Sequence, residues 1–370
     1  MAAKEIPNLK TLLGNRRGGG LRGRGPGGRG GFGASQETNE AVRDSAVRGT
    51  DQDAAGSRAS CVELGYLDDP YAKLFATQAS TRRLPLLNRG TYVRTSAIDQ
   101  LVDRFLTTSP ESPKQIISLG AGTDTRYFRL RDKYPNSHIV YHELDFPSNT
   151  IAKLHSIRKH SQLYNKLPTH DFPLSPQSDS YYSPSFNVHP LDLRSLANST
   201  PPPKLPNLVI SHPTLILSEM CLIYLEASTV SSIMKTFLTH YLLPTTPASL
   251  ILYEPILPHD AFGRTMISNL STRNIHLPTL IAYPELGDQR ARLKQYGLVS
   301  GCKAANTDYI WREWVSGEEK ERVAGLEMLD ELEELELLLR HYCVAWGWRD
   351  GEDDSDHIFS KTWGDVREQG

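Results

Sequence analysis

Ile116-Ile117-Ser118-Leu119-Gly120-Ala121-Gly122-Thr123-Asp124-Thr125 sets an apolar run against a pair of glycines, and a carboxylate, Asp145, follows after a second short apolar run. The order reads as strand, tight turn, helix, strand, acid. A turn this sharp needs glycine where a side chain would collide with a ligand or where φ is positive. A helix beginning near Thr123 would aim free N–H groups at whatever rests on Gly120 and Gly122. Asp145 stands about twenty residues on, at the end of the next strand, where an acid can accept both hydroxyls of a ribose. Thr125 occupies the third glycine place of the dinucleotide fingerprint, so the pattern suits a nucleoside without a pyrophosphate rather than NAD or FAD.

Two further acids close successive strands, Asp192 after the third and Glu219 after the fourth. Ligands of doubly wound sheets sit at those carboxyl ends. Asp145 suits a ribose, Asp192 with the backbone of Leu193 suits an adenine edge, and Glu219 suits an ammonium group deep in the crevice. An acid at a strand end is by itself often a helix cap, and it is the three together that indicate a ligand. Adenosine, an ammonium and a carboxylate together describe S-adenosyl-L-methionine. The carboxylate needs a cation, and Arg94 can fork onto it with two hydrogen bonds.

The elements that must position these residues follow from the hydropathy pattern. Candidate strands lie at Gln115–Leu119, Ile139–Leu144, Phe186–Leu191, Thr214–Ser218 and Leu250–Tyr253, separated by helical patterns or a polar insert. That alternation predicts a parallel, doubly wound α/β sheet. Asp69-Pro70 opens a short amphipathic piece ending at Phe75, and Tyr92–Leu106 has a helical period and carries Arg94. Beyond the fifth strand the pattern predicts a helix over Asp260–Asn274, a strand over Tyr296–Cys302, one long helix over Gly317–Arg340 with a leucine core face, and a last strand from His341 to Trp346. Residues near 161–185 and Pro201-Pro202-Pro203 read as surface insertions.

Residues 15–33 are almost entirely Gly and Arg, and polar composition continues to about Ser57. With little apolar surface to offset conformational entropy, residues 1–57 are expected to form a disordered arm, and residues 58–370 the folded domain. The chain has 370 residues and a formal net charge of -2, which gives no global reason to expect nucleic acid or membrane as partner. Any nucleic-acid contact would fall to the Arg-Gly arm. Cys61, Cys221, Cys302 and Cys343 form no C-x-x-C pair and suit a reducing compartment, so cytosol or nucleus is expected. No metal-ligating set is read. No apolar run reaches the roughly twenty residues of a membrane helix, and the N-terminus lacks the apolar core of a secretory signal, so a soluble, unprocessed protein is expected.

Several strings carry a family resemblance: Asn88-Arg89-Gly90-Thr91-Tyr92-Val93-Arg94, Leu119-Gly120-Ala121-Gly122-Thr123-Asp124-Thr125, Glu143-Leu144-Asp145-Phe146-Pro147, Asp192-Leu193-Arg194, Ser218-Glu219, Tyr253-Glu254-Pro255, and Leu326-Glu327-Met328-Leu329-Asp330-Glu331 through Arg340-His341-Tyr342-Cys343. From about Arg58 to Trp346 the sequence resembles the leucine carboxyl methyltransferases. These esterify the C-terminal leucine carboxylate of type 2A protein phosphatase catalytic subunits and thereby regulate holoenzyme assembly. The resemblance implies a class I S-adenosylmethionine-dependent methyltransferase fold, with extra helices near 260–340 forming a lid over the cofactor. It implies that Arg94, Gly120, Asp145, Asp192, Leu193 and Glu219 hold the cofactor, that Arg94 and Tyr224 lie beside the reacting leucine carboxylate, and that the protein acts as a monomer. Where the family has a lysine near the start of the domain, this chain has Arg58, which keeps the charge. Two other classes answer to parts of the sequence: a related carboxyl methyltransferase acting on a modified transfer-RNA base, which would carry an added repeat domain not found in this chain, and an RNA-binding protein using the Arg-Gly arm.

Overall fold

Three helices lead into the sheet: α1 (Phe32–Glu63), α2 (Ala72–Phe75) and α3 (Pro85–Thr107). The computed structural model describes residues 32–77, 82–352 and 357–370. The Arg-Gly run before residue 32 lies outside the described residues. Residues 32–57, expected to be disordered, form most of α1 instead. The helix was missed because its inner side is mostly polar. It holds itself against the domain through carboxylates and small residues such as Ala55 and Ala59, 4% and 0% exposed, and so shows no apolar stripe. In α3, Pro85 sits at the first turn, where its missing N–H costs no hydrogen bond. One face of α3 buries Val93, Ala97, Ile98, Leu101, Val102 and Phe105.

The remaining elements run β1 (Lys114–Leu119), α4 (Arg126–Lys133), β2 (Ile139–Asp145), α5 (Pro147–Lys159), α6 (Ser161–Tyr164), β3 (Tyr181–Tyr182), β4 (Phe186–Pro190), α7 (Arg194–Asn198), β5 (Thr214–Glu219), α8 (Ala227–Thr236) and β6 (Ala248–Pro255). Then come α9 (Ala261–Ser271), α10 (Pro278–Ala282), α11 (Leu286–Gln295), β7 (Gly301–Asn306), α12 (Thr307–Glu313), α13 (Gly317–Ala324), α14 (Leu332–Arg340), β8 (Tyr342–Arg349) and α15 (Ile358–Trp363). The eight strands form one sheet in the order β3-β4-β2-β1-β5-β6-β8-β7. β4, β2, β1, β5 and β6 are parallel, and β3, β8 and the β8–β7 pair run antiparallel at the edges. This is the mostly parallel, doubly wound α/β sheet that the alternation of strands and helices predicts.

Strands covered on both faces should read as continuous apolar runs. Every residue of β1 and of β6 is buried. Even Lys114 is buried, at the start of β1, where its ammonium donates to the carbonyls of Leu106 and Ser109 and burial lowers its pKa to about 8. At the far edge Trp363 of α15 is fully buried and donates to the Leu101 carbonyl.

Three expectations are corrected here. Strand β7 starts at Gly301, so that Tyr296 closes the preceding helix. The segment near 161–185 is more than a surface loop: Leu163, Leu167, Leu174 and Tyr181 are buried and β3 pairs with β4. The single helix over Gly317–Arg340 is two, α13 and α14. Between them Glu327 turns inward and accepts from Arg82 and from Asn88 at 2.8 Å, tertiary bonds that replace those of a continuous helix. Leu335 and Leu339 are buried, whereas Leu332 is exposed, so only part of the leucine stripe faces the core.

Candidate active site

β1 runs to one side through β2 and β4, and the chain then returns to the other side through β5. A crevice must therefore open at the carboxyl end of β1, where neighbouring connections diverge. A cavity of about 1220 Å³ lies there. Arg94, Gly120, Asp145, Asp192, Leu193, Glu219 and Tyr224 all line it, and so does Arg58.

The glycine turn is left-handed at both glycines, with φ +61° at Gly120 and +45° at Gly122. A Cβ on Gly120 would meet Cys221 Sγ at 2.5 Å, and one on Gly122 would meet Asp51 Oδ1 at 2.2 Å. α4 begins at Arg126 rather than near Thr123, and protein carboxylates take the turn's amides. Gly122 N–H donates to Asp145 Oδ2 at 2.7 Å, Thr123 N–H to Asp51 Oδ1 at 2.7 Å, and Arg126 N–H to Asp124 Oδ1 at 2.9 Å.

Asp145 closes β2. Its Oδ1 accepts from Phe146 N–H at 2.7 Å and from the Asn149 amide at 3.0 Å. A carboxylate has about four acceptor directions, so the three protein donors leave one, enough for a ribose hydroxyl, and Asp145 lines the cavity. Burial raises its pKa against the pull of the Gly122 and Phe146 amides. Asp192, on the cavity lining beside Leu193, is also tied to its neighbours. It accepts the Arg194 backbone N–H at 2.9 Å and its guanidinium at 2.6 Å, and that guanidinium also reaches Asp44 at 2.6 Å and Glu40 at 2.6 Å on α1. Phe146, next to Asp145, has the guanidiniums of Arg48 and Arg194 at 5.6 and 5.9 Å from its ring centre.

Glu219 ends β5, and Met220 after it is left-handed at φ +55°, a conformation uncommon outside glycine. That reversal lets Glu219, Met220 and Cys221 all reach the cavity wall. Arg94 Nε meets Glu219 Oε1 at 2.5 Å, and the guanidinium lies 4.8 Å over the Tyr253 ring. Burial opposes the Arg94 charge, but Glu219 raises its pKa. The pair presents a positive and a negative group side by side, the complement of a zwitterionic amino-acid end. Tyr224 stands on a 3-10 turn, Leu222–Tyr224, and burial pushes its hydroxyl up to about 12, so it stays a proton donor. Arg58 Nε is held by Asp69 at 2.5 Å while its Nη2 is buried with no protein partner.

Sequence reasoning missed the α1 contribution of Asp44, Thr50 and Asp51. Asp44, Asp51 and Ala55 recur at helical spacing, and that was the available signal. Phe146 and Asn149 were also missed; both follow Asp145 directly on the way into α5. The residues fit S-adenosyl-L-methionine: a glycine turn, an acid at the strand end with an acceptor direction open to a ribose hydroxyl, and an Arg–Glu pair for the amino-acid end.

A family model described as leucine carboxyl methyltransferase matches residues 46–238. Over 391 residues the chain is 48% identical to "Leucine carboxyl methyltransferase 1" of Aspergillus fumigatus, covering 97% of each. It is 48% identical to the protein of that name from Emericella nidulans over 95% of this chain and 96% of that one. A homolog of that name in Arabidopsis thaliana is 37% identical, over 82% of this chain and 90% of its own length. Among solved structures, the plantazolicin methyltransferase BpumL in complex with SAH is a remote likeness, at 12% identity and TM-score 0.36 over 85% of this chain and 98% of that one.

Proposed function

Since the chain belongs to the leucine carboxyl methyltransferase family, whose cofactor is S-adenosyl-L-methionine, we propose that it methyl-esterifies the C-terminal leucine α-carboxylate of a type 2A protein phosphatase catalytic subunit, acting as a monomer in cytosol or nucleus and thereby regulating phosphatase holoenzyme assembly. The observation that carries this reading is the mixed lining of the cavity. Met266, Leu270, Ile275, Leu277 and Leu338, part of one apolar cluster, line the same cavity as Arg94 and Tyr224, so that apolar surface for a leucine side chain and a cation for its carboxylate are available together. At about 1220 Å³ the cavity exceeds the roughly 300–1,000 Å³ of a single small-ligand pocket, so it can hold a nucleoside cofactor and a chain end together. No helix among the described residues is long and apolar enough to cross a membrane.

The cofactor supplies an electrophilic methyl group from its sulfonium. The acceptor, with an unperturbed pKa of about 3.3–3.7, is already ionised near neutral pH and needs no general base. The chain's task is therefore alignment and exclusion of water. Arg94 and the protonated Tyr224 hydroxyl orient the carboxylate, and α1 with α9 and α14 roofs the cavity. Charge is neutralised as the methyl group moves, so a dry site favours the reaction over the separated ions.

The test is transfer of labelled methyl to a purified phosphatase catalytic subunit with an intact, an amidated or a deleted terminal leucine. Only the intact terminus should be labelled, and Arg94→Lys, which keeps the charge but loses the planar fork, should cut transfer substantially with the fold unchanged. Label on the amidated protein or on internal carboxylates overturns the proposal.

A further inference from the structure

Glu219 has a guanidinium on each oxygen. Arg94, a quarter exposed to the cavity, takes Oε1 at 2.5 Å; Arg126, 1% exposed behind the glycine turn, reaches Oε2 at 3.4 Å. Arg126 in turn grips Asp99 of α3 at 3.0 Å and Asp124 of the turn at 2.5 Å. Arg129 meets the same Asp99 at 2.5 Å. Arg129 also meets Asp69 at 3.6 Å, the partner of Arg58, so four guanidiniums, Arg94, Arg126, Arg129 and Arg58, face four carboxylates, Glu219, Asp99, Asp124 and Asp69, in one contiguous array.

An array balanced in this way accepts a zwitterion without leaving a buried charge unpaired. When an ammonium approaches Glu219 and its carboxylate draws Arg94 away, Glu219 keeps one permanent counter-charge, because Arg126 is buried, cannot lose its proton and is tied on two other sides. We infer that Arg126 is a positioning residue for the amino-acid end of the cofactor: it holds Glu219 in place while Arg94 changes partner. The inference rests on the assignment of Glu219 to the ligand ammonium. The hold on Glu219 belongs to the side chain alone, whereas Asp124 is held twice, by the side chain on one oxygen and on the other by the backbone N–H of residue 126 at 2.9 Å, a tie that survives whatever the side chain is. Changing the side chain should therefore disturb the amino-acid end and leave the nucleoside end alone.

The experiment measures binding of S-adenosylhomocysteine and of 5′-methylthioadenosine, which has the nucleoside but no amino-acid end, by calorimetry on the full chain. Wild type should prefer S-adenosylhomocysteine. Arg126→Lys should lose roughly tenfold or more in affinity for it, the size of one charge-assisted hydrogen bond, with 5′-methylthioadenosine binding unchanged. Asp99→Asn, which loosens the same guanidinium from its other side, should move binding in the same selective way and serves if the first variant fails to fold. Equal loss of both ligands, retention of the wild-type preference, or unfolding of both variants would each show that Arg126 supports the fold and not the ligand end. A wild type that binds both ligands alike would instead remove the Glu219 assignment on which the inference stands.

Discussion

Asp51 and Thr123 are joined twice across the mouth of the cavity: one oxygen of Asp51 on α1 accepts the Thr123 backbone N–H at 2.7 Å and its hydroxyl at 2.8 Å. The same oxygen occupies the space that a Cβ on Gly122 would fill. The glycine turn therefore serves two partners, since Gly122 must stay bare for α1 to close on it. Asp53 with Arg273, and Asp44 with Arg194, fasten the same helix at 2.5 and 2.6 Å on either side.

Removing residues 1–57 should lower both stability and cofactor affinity, because it takes away Asp44, Asp51 and Asp53 and uncovers the surface beneath Ala55. A loss of one or two such fastenings should shift the thermal midpoint down by at least about 2 °C. Differential scanning fluorimetry and calorimetry on the truncated protein report the two quantities. If neither changed, α1 would contribute nothing to the fold or to the site.

Asp145→Ala should weaken S-adenosyl-L-methionine binding by about 1.5–3 kcal/mol, the range for hydrogen bonds to a charged group. The motive is that Asp145 lines the cavity and its three protein donors leave it one acceptor direction. Calorimetry with a circular dichroism control decides it. Unchanged affinity in a folded mutant would exclude the ribose role.

His142 and His189 lie side by side on β2 and β4, with Nδ1 of one 3.0 Å from Nε2 of the other. Burial lowers the pKa of both, to about 4 for His189 against 6.5 for the free side chain. Below pH 6.5 the unfolded chain binds protons that the folded chain refuses, so stability present above that value is lost as pH falls toward 4. For His189 alone this amounts to about 3 kcal/mol. Urea midpoints of wild type and His189→Gln, compared from pH 7 to pH 4.5, should converge as pH falls. Parallel curves would show that the imidazole is protonated equally in both states.

The pieces of the site that one stretch of chain contains were readable from sequence. Gly120, Gly122 and Asp145 lie within a single strand–turn–helix–strand unit, whose spacing fixes their relative placement, and the apolar runs of β1, β2, β4, β5 and β6 announced buried parallel strands. Asp192 and Glu219 followed from the rule that ligands gather at strand ends. The place of Tyr224 on the cavity lining was expected from resemblance to a family alone, since nothing in its local pattern marks it.

Local pattern failed where polar groups pair across long stretches of chain. α1 has no apolar stripe because carboxylates form its inner contacts, and a carboxylate looks solvent-facing until Thr123 or Arg194, at least 72 residues away, supplies its partner. Gly317–Arg340 reads as one helix until Asn88 and Arg82 draw Glu327 inward and break it. Asp192 lines the cavity as its place at a strand end predicts, but nothing in the sequence shows that Arg194 ties it into an ion-pair cluster with α1. The sequence by itself determined the sheet, the glycine turn and the acids along it, because burial and backbone conformation are local demands on residue type. The tertiary structure alone decided which charges meet, since an ion pair depends on distance in space and leaves no period in the chain.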